Sequence, residues 1–326
     1  MPSKVMKDLL AGGTFLESIA KPPYHWESFA AQADAQGNYS PEIREIVAKS
    51  FERQNAHLTP SESASIAAFR NGALSITTGH QLMVCGGTVF FEAKVLGAVA
   101  LAKAAAQALG RAVIPIFWMA TEDHDFEEIS SFRIGQHKFI WEHPEAEGSV
   151  GLLPTRGLAS QLENWLKSVP LNEAQKKLLQ PRLRAYSECE NLAEATRQWV
   201  RQWAEGLGLL VLDGQDANLK EAAGALWSAE MDGDYSELIH KQTEALVFNG
   251  YQAQVFPREI NLFDLRDGGR KRFEQADHQC PSLQISPNAL MRPLYQEFLL
   301  PNLAYVGGGG ELAYWLQLGE AFKKMD

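Results

Sequence analysis

Residues Ala112–Asp125 read AVIPIFWMATEDHD. The first nine are apolar, rich in β-branched and aromatic side chains, and short enough for one buried strand. The strand then runs straight into Glu122-Asp123-His124-Asp125, four ionisable residues in succession. Upstream, Ala73–Gln81 (ALSITTGHQ) reads as a second short apolar strand ending in a glycine turn. Between them Thr88–Leu109 is a long apolar helix, about 33 Å at about 1.5 Å per residue, closed by Gly110. Its polar residues Glu92, Lys103 and Gln107 share one narrow stripe, which predicts a helix sandwiched inside the fold; Lys94 alone projects opposite. Strand, helix, strand in this order is a βαβ unit, and its parallel pairing puts Thr77–Gln81 and Glu122–Asp125 on one carboxyl edge of a sheet. Ligands of open α/β sheets bind at that edge.

The remaining chain supports an α/β fold with insertions. Residues 1–70 read as a helical lead-in, with Ser40-Pro41 and Thr59-Pro60 as helix starts, and 71–129 as the βαβ unit. Residues 130–207 form an inserted segment: alternating strands first, then helices over Gln161–Leu207 with Trp165, Trp199 and Trp203 as packing anchors. Residues 208–326 return to the core through GLLVLDG, Gly208–Gly214, and a helix reaching about Phe248. A small insertion of strands and turns follows at about 251–285, and then the glycine-rich YVGGGGELAYW, Tyr305–Trp315. At 326 residues the chain is long enough for two modules or one core with large insertions.

Composition narrows the class of function. A net charge of −10 argues against nucleic acid or an anionic membrane as the main partner. Three cysteines without a CxxC point to a reducing, cytoplasmic setting and away from a disulfide framework or structural zinc. No signal-peptide core and no run of about 18 apolar residues is present.

Three stretches carry candidate chemistry. At Thr77-Thr78-Gly79-His80-Gln81, glycine permits close backbone approach and the hydroxyls, amides and imidazole could hold an anion; an ordinary capped turn is the plain alternative. In the acidic block, strand alternation would place Glu122 and His124 on one side and Asp123 and Asp125 on the other. His124 could shuttle protons with a pKa raised by its neighbours, or ligate a metal; helix capping is the alternative, and no standard metal-ligand spacing occurs. At Gly308-Gly309-Gly310-Glu311 the loose GxGxxA pattern is met and no Walker A sequence exists, so close approach to a ligand is the expected reason for the glycines. Glu311 could complement the helix dipole or bind an amine. Cys85 is an inert small hydrophobe unless His80 activates it.

TTGHQL, PIFWMATEDHDFEEI and SPNALMRPLYQEFLLPNLAYVGGGGELAYWLQL, in this order, resemble the signature blocks of the bacillithiol biosynthesis cysteine-adding enzymes, the BshC family. The resemblance implies a Rossmann-like core with connecting-peptide insertions, similar to class I synthetases, and a C-terminal coiled coil that mediates homodimers. The closing GEAFKKMD reads as stopping before any such coiled coil. The implied reaction joins the carboxyl of L-cysteine to the amine of glucosaminyl-malate, with ATP as a co-substrate and no metal. The implied site draws on His80, His124 and Asp125 for catalysis. For substrate binding it draws on Thr77, Thr78, Gly79, Gln81, Glu122, Asp123, Arg292, Tyr305, Gly308, Gly309, Gly310 and Glu311, with Lys94 as a further cation. Another class I-type ligase and a non-catalytic binder of an anionic sugar or nucleotide stand as alternatives.

Overall fold

A computed structural model describes residues 4–12, 14–19, 26–144 and 146–325. Of the helical lead-in, residues 1–3, 13 and 20–25 therefore lie outside the described residues.

Two capped helices precede the sheet. Pro41–Gln54 starts at Ser40, whose hydroxyl accepts from Ile43 N, and Pro60–Arg70 starts at a Thr59/Glu62 capping box. Proline at the first helical position costs nothing there, because that N–H would be unpaired anyway. Next come β1 (Leu74–His80) and helix Val89–Leu109, whose ends match the sequence: Thr88 caps the start and Gly110 sits left-handed, at φ 63°, at the close. The strand β2 (Val113–Met119) follows. The helix is not sandwiched, however. Phe91, Val95, Ala98, Ala102 and Ala105 bury one face, while Leu96 on the other is 46% exposed.

The first insertion opens with the hairpin β3 (Ser131–Ile134) and β4 (His137–Ile140), and continues as helices Leu158–Leu166, Glu173–Glu188 and Leu192–Trp203. Trp199 is fully buried there and Trp165 packs edge-on against Phe132 and Phe139. β5 (Leu210–Asp213) returns to the core. The helix expected to run to Phe248 is three helices, Ala217–Ala222, Gly224–Met231 and Ser236–Phe248. The last break falls at Gly233, whose φ of 88° no helix accommodates. The second insertion is the antiparallel sheet of β6 (Leu262–Asp264), β7 (Lys271–Arg272) and β8 (Ile285–Pro287). Helix Met291–Leu299, which the sequence reading left unassigned, leads into β9 (Asn302–Tyr305).

The core sheet has the order β5-β2-β1-β9, with every pairing parallel. Pro115 lies in the central strand, but pairing with β5 begins only at Ile116, so on that side its missing N–H breaks no ladder. Ile114, Ile116 and Trp118 face one core layer and Phe117 and Met119 the other, the period of two that a strand buried on both faces requires. The chain steps from β1 outward to β2 and β5, then returns to the far side of β1 as β9. The strand order therefore reverses at β1, and the crevice at such a switch point is where the carboxyl ends of strands open toward a ligand.

Candidate active site

A cavity of about 470 Å³ lies over the carboxyl ends of the core strands, a size that suits a small-molecule site. Its lining includes Gly79, His80 and Gln81 after β1, Glu122 and Asp123 after β2, and Arg292, Tyr305, Gly310 and Glu311 from the C-terminal block. The three stretches singled out in the sequence thus meet in one place.

At the switch point, Lys94 reaches from the helix after β1 to the carbonyl of Gly79 and, at 2.5 Å, to Glu311 Oε2. Glu311 Oε1 accepts from the Tyr305 hydroxyl at 2.6 Å, and that hydroxyl accepts from Gly79 N at 3.2 Å. Burial pushes the Glu311 carboxyl upward, but Lys94, the Gly308 amide and Tyr305 outweigh it and hold the group below the usual carboxylate range. Burial lowers the Lys94 pKa, against the opposing pull of Glu311. Arg292 lies over the Tyr305 ring and donates to Tyr314 Oη at 3.0 Å and Gln296 Oε1 at 3.2 Å, neither of them an anion. Two cations against one carboxylate leave this end positive.

The opposite end is negative. Lys220, fully buried, pairs with Glu122 and also donates to the carbonyl of Ile285. Burial lowers its pKa, and Glu122 opposes that shift. Gln81 Nε2 bridges Asp123 Oδ2 at 3.0 Å and Glu128 Oε2 at 2.6 Å, and Arg270 stands 3.7 Å from Asp123. Three carboxylates face two cations.

His80 lies in the chain between Gly79, bonded to Lys94 and Tyr305 at the positive end, and Gln81, bonded to Asp123 and Glu128 at the negative end. It feels the charges of Lys94, Glu311 and Glu128. Burial lowers its pKa, so the imidazole is neutral at physiological pH. Its Nδ1 lies 2.9 Å from the Gln81 carbonyl, which can only accept; Nδ1 therefore carries the proton and Nε2 is left as an acceptor.

Several expected site residues are elsewhere. The β2 chain leaves the sheet after Met119 in a turn, so strand alternation does not extend into the acidic block, and Glu122 and Asp123 both line the cavity. His124 does not line it. Its Nδ1 bonds the Glu122 carbonyl at 2.8 Å; burial, helped by Arg270, outweighs that bond, which favours the charged ring, and moves the pKa down rather than up. Asp125 is the exposed N-cap of helix Phe126–Ile129, accepting from Glu128 N. Thr77 and Thr78 are fully buried, and their hydroxyls bind Asn302 Oδ1 and the Val306 carbonyl, fastening β9 to β1.

Gly307 and Gly308 have a packing cause rather than the expected ligand cause, whereas Gly310 lines the cavity and a Cβ there would meet nothing within 4 Å. A Cβ on Gly307 would stand 2.9 Å from the Tyr305 ring, and one on Gly308 2.8 Å from Phe90. Neither Gly308 nor Gly309 lines the cavity. The Gly308 amide already donates to Glu311 at 2.8 Å, so a carboxylate occupies the place a phosphate would need. Cys85 is buried, its thiol pushed up to about 12 by burial, which removes it as a nucleophile. Among the described residues no group of three or more His, Cys, Asp or Glu is placed to hold a metal ion, and no helix is long and apolar enough to cross a membrane.

These placements give two expected outcomes directly. Asp125→Ala costs about 1 kcal/mol of stability through the lost cap, and Cys85→Ala leaves ligand affinity unchanged. Denaturant unfolding and ligand titration check the pair.

The sequence reading missed Lys220, Arg270 and Tyr314. Lys220 in DANLKEAA and Arg270 in RDGGRKRF look like solvated positions, and no local signal marks either.

The family profile described as "Bacillithiol biosynthesis BshC, N-terminal Rossmann-like domain" matches residues 2–284 and 279–326. The chain is similar to a protein of Flavobacterium johnsoniae, 35% identical over 98% of this chain and 65% of the relative. It is also similar to proteins of Cytophaga hutchinsonii, 36% identical over 76% and 50%, and Christiangramia forsetii, 33% identical over 91% and 61%. All three carry the provisional name cysteine ligase BshC. The chain spans less than two thirds of the length of each of these relatives.

Proposed function

The chain belongs to the BshC family, and from that premise we propose that it is a cytoplasmic cysteine ligase forming the amide bond between L-cysteine and glucosaminyl-malate, a step of bacillithiol synthesis. The observation that carries this reading is one cavity with a positive end, a negative end and a neutral imidazole between them. The two substrates present opposite charges at their far ends and react in the middle. The malate carboxylates go to Arg292, backed by Lys94, because a guanidinium whose side-chain acceptors among the described residues are neutral has charge to spare. The cysteine ammonium goes to Asp123 and Glu128, held side by side by Gln81.

This orientation brings the cysteine carboxyl toward the glucosaminyl amine near His80. As the amine nitrogen bonds to the acyl carbon it must lose a proton, and His80 Nε2 is the acceptor. A free carboxylate resists attack by an amine, and ATP is the co-substrate proposed to supply the acyl leaving group. The turn at Gly307–Gly310 does not fit its phosphates, for the reason given by Glu311.

The test is an assay of the chain with L-cysteine, glucosaminyl-malate and ATP, read as the cysteinyl amide by mass spectrometry. Amide that depends on all three supports the reading. Product formed equally well with serine or alanine in place of cysteine rejects it in favour of another amino-acid ligase.

A further inference from the structure

One wall of the cavity comes from no core strand. Gln254 and Val255 line it from the coil between helix Ser236–Phe248 and β6. Backbone groups in such a coil still need partners, and a single side chain supplies them. Gln317, 1% exposed, accepts at Oε1 from Gln254 N at 3.2 Å and Val255 N at 3.1 Å. Its Nε2 donates to the Val255 carbonyl at 2.8 Å and to Thr243 Oγ1 at 2.9 Å. Both donors and the acceptor of the carboxamide are used, and it stands where a neighbouring strand would.

Gln317 is also tied to the positive end of the cavity. Two residues before it, Trp315 stacks on Tyr305 at 4.4 Å, and three before it Tyr314 accepts from Arg292. The same short segment therefore contacts the cation end and fastens the wall that no core strand supplies. Hydrophobic burial contributes to that fastening at Val255 alone of the neighbouring pair: Val255 is half-buried against the main core, and the next residue, Phe256, is 79% exposed.

We propose that Gln317 is a positioning residue for the ligase reaction, latching residues 254–255 as a wall of the substrate cavity and so setting substrate affinity without touching the reacting atoms. This rests on the reading given under Proposed function.

The experiment compares Gln317→Leu, which keeps the volume and removes every bond, with the unsubstituted chain. With three bonds of ordinary strength lost at the wall, KM for glucosaminyl-malate or L-cysteine rises about tenfold or more while kcat stays within about twofold. Amide exchange at Gln254 and Val255 accelerates about tenfold, and helix Val89–Leu109 keeps its protection. Gln317→Glu keeps the acceptor for both N–H groups and falls between the two; it replaces Gln317→Leu if that variant does not fold. An unchanged KM, a loss confined to kcat, or unchanged exchange at 254–255 overturns the proposal. Should the chain show no turnover, the ligase reading fails on its own, and the exchange comparison still decides the role of Gln317.

Discussion

Replacing Lys220 with Met is expected to destabilise the chain by about 3–5 kcal/mol, the cost of leaving a buried carboxylate without its cation. Lys220 is fully buried, and Glu122, with a side chain 12% exposed, has it as its direct ion-pair partner. Arg270 acts on Glu122 only through space. The ammonium also donates to the Ile285 carbonyl and lies over the rings of Trp227 and Tyr295, so one side chain ties the turn after β2 to the second insertion. A methionine keeps the volume and removes only the charge and its donors. Adding Glu122→Gln to Lys220→Met should recover a large part of the loss, because the uncompensated charge is then gone. Denaturant unfolding of the single and double variants checks both statements. A loss below about 1 kcal/mol in Lys220→Met would mean that the pair is solvated and that the negative end of the cavity is not fixed as described.

The second large effect falls on His80. His80→Gln is expected to lower kcat by about 10²- to 10⁴-fold, the usual contribution of a positioned general base, with KM little altered. The pH dependence fixes the assignment. His80 acts only when Nε2 is unprotonated, and burial sets its pKa below the ordinary 6.5. Turnover should therefore be flat above pH 6.5 and fall as pH drops through that lower value, because protonation removes the acceptor. In His80→Gln the residual rate should lack this acid limb. The equivalent change at His124, an imidazole outside the cavity bonded to the Glu122 carbonyl, should leave the limb in place. Loss of the limb in the His124 variant instead would transfer the role of base to that residue.

The parts of this molecule that the sequence disclosed are those set by neighbours in the chain. Hydrophobic period, the Ser40 and Thr59 caps and the left-handed Gly110 are local matters, and they located β1, its crossover helix and β2 within a residue or two. The roles that changed are decided by partners far away. Thr78 looks like an anion-binding hydroxyl until the Val306 carbonyl, 228 residues on, accepts its hydrogen bond. Lys220 looks like a surface lysine until Glu122, 98 residues back, and Ile285, 65 ahead, close around it. The glycines at 307–308 suggest a ligand until the rings of Tyr305 and Phe90 are seen against them. The acidic block falls between these cases. Its place at a site mouth followed from the parallel pair, whereas the facing of each side chain depended on where the turn after Met119 broke the alternation.

A crossed titration bears most directly on the division of the cavity into two charged ends. Calorimetric binding of glucosaminyl-malate and of L-cysteine is measured on the unsubstituted chain, Arg292→Met and Asp123→Asn. With charge-assisted bonds worth about 1.5–3 kcal/mol, Arg292→Met should weaken glucosaminyl-malate about 10- to 150-fold and spare L-cysteine, and Asp123→Asn should do the reverse. Equal weakening of both ligands by either substitution, or a pattern with the two ligands exchanged, would contradict the account.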